Sequence, residues 1–113
     1  MGVYMTENEI KHVIGDIVNR IASQFHPQKI LLFGSHATGL ASEDSDVDLL
    51  IVMDVPGSKR QKAVDIDIAL QGVPVPTDII VVTPEDMELG SHYSDTVIYD
   101  ALTQGRVLYE QAA

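Results

Sequence analysis

The chain has 113 residues, 45% of them apolar and 21% charged, and it contains no cysteine. This size and composition fit one hydrophobic core, so we expect a single domain over residues 1–113. With 17 acidic side chains against 7 Lys or Arg, the formal net charge is −10, which argues against direct contact with nucleic acid, since such contacts need Lys and Arg to displace phosphate counterions. A short nucleotide held through metal ions stays open, because a divalent cation reverses the local sign of charge.

Targeting and redox signals indicate a cytoplasmic location. We expect no signal peptide, because the first apolar segment has helical spacing and carries charged residues. No run approaches the roughly 18 apolar residues of a membrane span, so we expect no membrane partner. The lack of cysteine rules out disulfides and thiolate metal ligands, which is typical of a cytoplasmic protein.

The first predicted element is an amphipathic helix from about Glu7 to Gln24. Thr6 and Glu9 form a capping box at its start. Apolar residues then recur at helical spacing: Ile10, Val13, Ile14, Ile17, Val18 and Ile21.

Two strands separated by a turn follow the first helix. The short run "KILLF" (Lys29–Phe33) predicts a buried strand that stops at Gly34. The next segment, "SHATGLASED", is turn-like, with one helical turn predicted after Ser35. A second strand over Asp46–Met53 is apolar on both faces beyond Asp48, which is typical of a central strand.

The second half of the chain predicts further helices and strands after a break at "VPGS". They are a helix from Ser58 to about Gln71, a strand over Thr77–Val82, a helical start with Thr83 as N-cap and Pro84 at the first position, a helix from about Ser94 to Gln104 ending at Gly105, and a short edge strand, "RVLY". The basic first turn of the Ser58 helix is unfavourable for the helix dipole, so that turn is either solvated or next to an anionic group. The order of elements predicts a small mixed β-sheet flanked by helices, in the α/β (α+β) class.

Two carboxylates open the second predicted strand. Side chains alternate along a strand, so Asp46 and Asp48 face the same side, roughly 7 Å apart. Like charges placed this way repel each other and lose hydration, so stability alone would not select them. A divalent cation between them removes the conflict, and oxygen ligands suit Mg²⁺ or Mn²⁺. Asp78 lies at the start of the third strand, and it completes a three-carboxylate cluster if the two strands are neighbours.

Each of these features also has an ordinary explanation. Acidic residues are common where loops lead into strands, and Gly34-Ser35 is an ordinary turn pair. Together they favour a nucleotide site. Backbone N–H groups and a hydroxyl at the Gly-Ser turn suit a terminal phosphate, and the acids beyond it suit a metal that bridges such phosphates.

The spacing of these residues carries a family resemblance. Gly34-Ser35, ten residues, then Asp46-Val47-Asp48 and a later strand-borne Asp78 resemble the nucleotidyltransferase superfamily related to DNA polymerase β, and within it the minimal nucleotidyltransferase (MNT) proteins. With the first helix and the C-terminal "GRVLYE", the resemblance covers nearly the whole chain. Family members often carry Arg in the turn after Gly-Ser. Here His36 is either a weaker phosphate contact or a solvent-facing turn residue.

The resemblance implies an enzyme with a single MNT domain that transfers AMP from ATP to a hydroxyl and releases pyrophosphate. It implies that Asp46 and Asp48 ligate two Mg²⁺ ions, with Mn²⁺ as an alternative. Asp78 would bind the second ion and help to deprotonate the attacking hydroxyl. Gly34 and Ser35 would hold the β and γ phosphates of ATP.

The same resemblance implies a protein partner. Such chains are similar to the MNT antitoxin of HEPN/MNT toxin–antitoxin pairs, which adenylylates a tyrosine of the HEPN toxin, and an acidic surface suits a basic partner. Two alternatives stay open: the catalytic half of a small-molecule (for example antibiotic) nucleotidyltransferase, and a module that inhibits its partner by contact alone. We expect a homo- or hetero-oligomer, because Tyr93 and Tyr99 would then contact another chain. The alternative is that both tyrosines pack on the sheet.

Overall fold

The computed structural model describes residues 5–42 and 44–112. Its elements are α1 (Glu7–Phe25), β1 (Lys29–Phe33), α2 (Ser35–Thr38), β2 (Val47–Val52), α3 (Lys59–Ala69), β3 (Thr77–Val82), α4 (Pro84–Gly90), α5 (Val97–Gln104) and β4 (Arg106–Glu110). They confirm the predicted α/β class, with a small mixed sheet flanked by helices. Within the described ranges, no helix is both long and apolar enough to cross a membrane.

The sheet has four strands in the order β3-β2-β1-β4. Strand β1 runs antiparallel to both β2 and β4, whereas β2 and β3 are parallel. Strand β2 therefore lies in the interior of the sheet, as its apolar sequence predicts, and "RVLY" forms an edge as predicted. Every residue of β2 is buried except Asp48, which is half-buried.

Helices cover both faces of the sheet. On one face, α1 and α3 pack through buried residues such as Ile17, Ile21 and Ile66 onto β2 residues such as Leu49. On the other face, α5 contributes the buried Ala101 to a smaller cluster. Because side chains alternate along a strand, Asp48 points to this second face, where the cluster includes Leu50, Val52 and Val82.

The helix starts follow the capping residues. Thr6 and Glu9 form the predicted capping box of α1, and Thr83 caps α4 with Pro84 at its start. The predicted start of the last helix at Ser94 is wrong by three residues. The Thr96 side chain accepts a hydrogen bond from the Tyr99 N–H and so fixes the start of α5 at Val97.

The basic first turn of α3 has an anionic neighbour. The Lys59 Nζ lies 2.8 Å from Asp86 Oδ2 in the first turn of α4. This ion pair joins the first turns of two helices that lie on opposite faces of the sheet. It pairs one of the three basic side chains in the first turn of α3 with a carboxylate. It also lowers the pKa of the Asp86 carboxyl, together with a backbone hydrogen bond from Thr83.

Candidate functional site

The parallel pairing of β2 with β3 brings two of the three predicted carboxylates together. Asp48 lies directly opposite Asp78 in the register of the two strands, so both side chains emerge on the same face. Asp46 precedes the first residue of β2 and is exposed, as is Asp78. Strands β2 and β3 are therefore neighbours, as the three-carboxylate cluster requires.

Asp48 is the carboxylate most affected by its surroundings. Partial burial raises its pKa above the usual 3.8, and the negative charges of Asp78 and Asp46 raise it further. The nearby His36 acts in the opposite direction but does not cancel the shift. The ionised form of Asp48 is therefore costly in the protein alone, as expected for a group that binds a cation.

Gly34 permits the turn after β1 to lie against Asp48. Its φ is +72° and its ψ is −156°, a region that essentially only glycine occupies. A Cβ atom on Gly34 would overlap Asp48 Oδ2. The glycine of the predicted phosphate-binding turn is thus in direct contact with a predicted metal ligand.

The segment between Gly34 and Asp46 is held by short-range hydrogen bonds. The Ala37 and Thr38 N–H groups donate to the Gly34 carbonyl at 3.1 and 3.2 Å. The Ser42 N–H donates to Ser45 Oγ at 2.8 Å, which closes a second turn. Between these two turns, the His36 Nε2 lies 3.3 Å from the Ser45 carbonyl oxygen. His36 is half-buried, not solvent-facing.

One residue near the site was missed by the sequence analysis. Asp67 lies on α3, and its pKa is raised by partial burial and then by the charge of Asp78. No sequence spacing relates Asp67 to Asp78. Their proximity arises because α3 packs on β3, which only the tertiary structure shows.

The donor set fits a hard divalent cation, although the side chains are not gathered around one point. Asp46, Asp48 and Asp78 offer only carboxylate oxygens, the ligands that Mg²⁺ and Mn²⁺ prefer. Burial and then the charges of Asp78 and Asp46 raise the pKa of Asp48, and a bound cation would offset both effects. In residues 5–42 and 44–112, no three acidic or imidazole side chains are close enough to hold one ion as they stand. Binding therefore requires side-chain rotation, which the two exposed aspartates can make.

An open groove of about 870 Å³ runs along α1. It is lined by one side of α1, by His36 and Ser45 of the turn segment, and by Arg106 of β4. None of the three aspartates lines it. The C-terminal tyrosines differ in exposure: Tyr99 is half-buried, whereas Tyr93 is 60% exposed.

The chain belongs to the nucleotidyltransferase domain family, which it matches over residues 14–102, well over half of its length. This match confirms the predicted superfamily and the predicted class of enzyme. It also encloses the Gly-Ser turn and all three aspartates.

The chain is also similar to a named protein and to solved structures. A protein of Methanocaldococcus jannaschii named "Putative protein adenylyltransferase MJ0604" is 48% identical over 50 residues, which are 42% of this chain and 49% of that protein. The chain thus spans about half the length of this relative. A Sulfolobus solfataricus crystal structure described as a "putative nucleotidyltransferase" has a TM-score of 0.63 at 18% identity, covers 97% of this chain and 94% of its own, and confirms the fold. A toxin–antitoxin complex with AMP-PNP covers 95% of this chain and 75% of its own at 20% identity, with a TM-score of only 0.46.

Proposed function

We propose that the protein transfers AMP from ATP to a hydroxyl group of a partner protein, a tyrosine of a HEPN-type toxin. The observation that carries this proposal is the pairing of Asp48 with Asp78 across parallel strands, beside a glycine turn that touches Asp48. Membership of the nucleotidyltransferase domain family supports the reaction class. The name of the archaeal relative supports a protein as acceptor.

Each site residue has a role in this proposal. Asp46 and Asp48 would hold both divalent ions, Mg²⁺ or Mn²⁺, and Asp78 would hold the second. Gly34 and Ser35 would contact the β and γ phosphates of ATP, because their turn lies against Asp48. Ions bound there would neutralise the triphosphate and expose its α-phosphorus to attack.

The chemical step is an in-line displacement at the α-phosphorus. The acceptor oxygen forms a bond to that phosphorus while the bond to the bridging oxygen of pyrophosphate breaks. The hydroxyl proton passes to Asp78, which is exposed and so accessible to an incoming side chain. The Gly34 turn and the aspartates contribute by positioning the reactants and by stabilising charge, since this chemistry needs no covalent participation by the protein.

The proposal for the partner rests on the sequence resemblance to MNT antitoxins and on charge. A net charge of −10 suits a basic RNA-cleaving protein, and complementary charge speeds association. Under this proposal the protein is an antitoxin that silences its partner by adenylylation.

Transfer of label from ATP tests the proposal. The protein and its co-expressed partner are incubated with Mg²⁺ and ATP labelled at either the α or the γ phosphate. We expect α label on a partner tyrosine, no γ label, and a loss of at least about a hundredfold in Asp46→Asn, Asp48→Asn and Asp78→Asn. Asp95→Asn, in an exposed loop, is the matched control and should stay active.

Three outcomes would redirect the assignment. Stoichiometric inhibition of the partner without label would favour a module that acts by contact alone. Label entering a sugar or an antibiotic would favour a small-molecule nucleotidyltransferase. Full activity in Asp48→Asn would rule out the metal-carboxylate mechanism.

A further inference from the structure

His36 is placed to control the geometry of Asp46. Its Nε2 is 3.3 Å from the carbonyl oxygen of Ser45, and that carbonyl belongs to the peptide group directly before Asp46. The imidazole is half-buried, so water competes less for this hydrogen bond than it would at an exposed site. A carbonyl oxygen only accepts, so Nε2 must carry the proton that it donates.

The peptide group on the other side of Asp46 is also held. The Val47 N–H donates to the Pro76 carbonyl at 2.9 Å, and Pro76 lies two residues before Asp78. The backbone of Asp46 is therefore held on both sides. On one side His36 links it to the phosphate turn, which is the proposed phosphate-binding turn at Gly34-Ser35, and on the other side Val47 links it to the chain that leads into β3.

These two hydrogen bonds connect every part of the proposed site. His36 follows the Gly-Ser turn, Ser45 and Val47 flank Asp46, and Pro76 leads to Asp78. The hydrogen bond between Ser42 and Ser45 closes a turn close to the start of β2, and it involves no residue of α2. Among the hydrogen bonds of the described residues, the His36 contact alone joins a side chain of α2 to the residues that lead into β2.

We propose that His36 is a positioning residue that fixes the backbone of Asp46 relative to the phosphate turn through its hydrogen bond to Ser45. This inference rests on the proposed function, because it assigns Asp46 a role in that site. It differs from a phosphate contact, since the hydrogen bond is made within the protein and does not require nucleotide.

Variants that differ in reach test this assignment. In His36→Gln, the amide nitrogen takes the place of Nε2 and can still donate to the Ser45 carbonyl. In His36→Asn the amide is too short to reach, and in His36→Ala the donor is gone. His92→Ala is the matched control, because His92 is exposed and its Nε2 lies 3.8 Å from Glu88 Oε1, away from the proposed site.

Amide hydrogen exchange in the protein without nucleotide is the first measurement. We expect exchange at Val47, whose N–H donates to the Pro76 carbonyl, to be about tenfold faster in the Asn and Ala variants, with Leu50 of β2 unchanged. The Gln variant and His92→Ala should exchange within about threefold of the natural protein. If His36→Ala fails to fold, the exchange rates of His36→Gln and His36→Asn still test whether the donor at this position holds the backbone.

The rate of AMP transfer is the second measurement. We expect the same order, with the Asn and Ala variants slower by about tenfold or more and the Gln variant close to normal, because small displacements in such sites are costly. Equal exchange in all variants, or a Gln variant as impaired as Ala, would overturn the proposal, as would faster exchange with unchanged transfer. If the natural protein transfers no AMP, the proposed function fails, while the exchange data still show whether His36 holds Asp46.

Discussion

At the scale of single residues, Gly34 is required by the position of Asp48. We expect Gly34→Ala to destabilise the protein by about 1–3 kcal/mol, because the new Cβ overlaps Asp48 Oδ2 and the backbone conformation is strained for alanine. It should also abolish AMP transfer by displacing Asp48. The matched control is Gly72→Ala, whose φ is +91° but whose Cβ would meet no atom within 4 Å. Gly72→Ala should lose some stability and keep its activity, and an active, folded Gly34→Ala would contradict the argument.

The raised pKa of Asp48 predicts a dependence of stability on pH. Because the folded state favours the protonated carboxyl, stability falls as pH rises from the usual pKa of 3.8 to the raised folded value. In EDTA at pH 7, Asp48→Asn should therefore be more stable than the natural protein, by on the order of 0.5 kcal/mol since the group is partly hydrated.

Thermal unfolding at several pH values measures this effect. The gain in Asp48→Asn corresponds to about 2–4 °C in Tm at pH 7 and should vanish near pH 3, where the natural carboxyl is protonated in both states. Asp95→Asn should unfold with the natural protein throughout. A lower Tm in Asp48→Asn at pH 7 would mean that the carboxylate stabilises the fold and is not strained.

At the scale of elements, local sequence signals were sufficient where a cap or an apolar pattern determines the structure. Thr6 with Glu9, and Thr83 with Pro84, identified the starts of α1 and α4 correctly. The start of α5 was less predictable, because Ser94, Asp95 and Thr96 are all residues that suit an N-cap. Which of them caps the helix depends on tertiary contacts, such as the 3.1 Å hydrogen bond from Thr96 Oγ1 to the Gly90 carbonyl.

The start of α4 provides a prediction at this scale. Asp86 closes the capping box with Thr83 and pairs with Lys59, so Asp86→Ala should cost about 0.5–2 kcal/mol at pH 7. The hydrogen bond from Lys59 is the main cause of its lowered pKa. The stability that ionised Asp86 contributes is therefore fully present above the usual pKa of 3.8. It is lost as pH falls through the lowered pKa of Asp86 in the folded protein. Urea unfolding at pH 7 and below pH 3 measures this, with the exposed neighbour Glu85→Ala as control; an equal cost at both pH values would show that the charge of Asp86 contributes nothing.

At the scale of the whole molecule, the sequence proposes which residues form the site but does not determine their arrangement. The aspartates and the Gly-Ser turn were proposed from their spacing, and a cluster of the aspartates depended on the assumption that β2 and β3 are neighbours. Strand order is set by how α3 crosses from β2 to β3 and packs, which no local pattern encodes. The proximity of Asp67 to Asp78 results from the same long-range packing, whereas the hydrogen bond of His36 to Ser45 forms within the connection between β1 and β2.

The acidic character of the whole molecule makes the response to cations informative. If divalent ions and ATP bind together at the aspartates, Mg²⁺ with a non-hydrolysable ATP analogue should stabilise the folded state. At one hundred times the dissociation constant the gain is about 2.7 kcal/mol, or roughly 10–20 °C in Tm for a chain of this length. Either ligand alone should give a smaller shift, because each leaves part of the charge in the site unbalanced.

Screening of the net charge of −10 would also raise the Tm, so the comparison needs a salt control. Potassium chloride at the same ionic strength should reproduce only a small part of the shift. Asp48→Asn and Asp78→Asn should lose the specific part, whereas Asp95→Asn should keep it. A full shift in potassium chloride, or in Asp78→Asn, would mean that the cations act on the acidic surface as a whole and not at the paired carboxylates of β2 and β3.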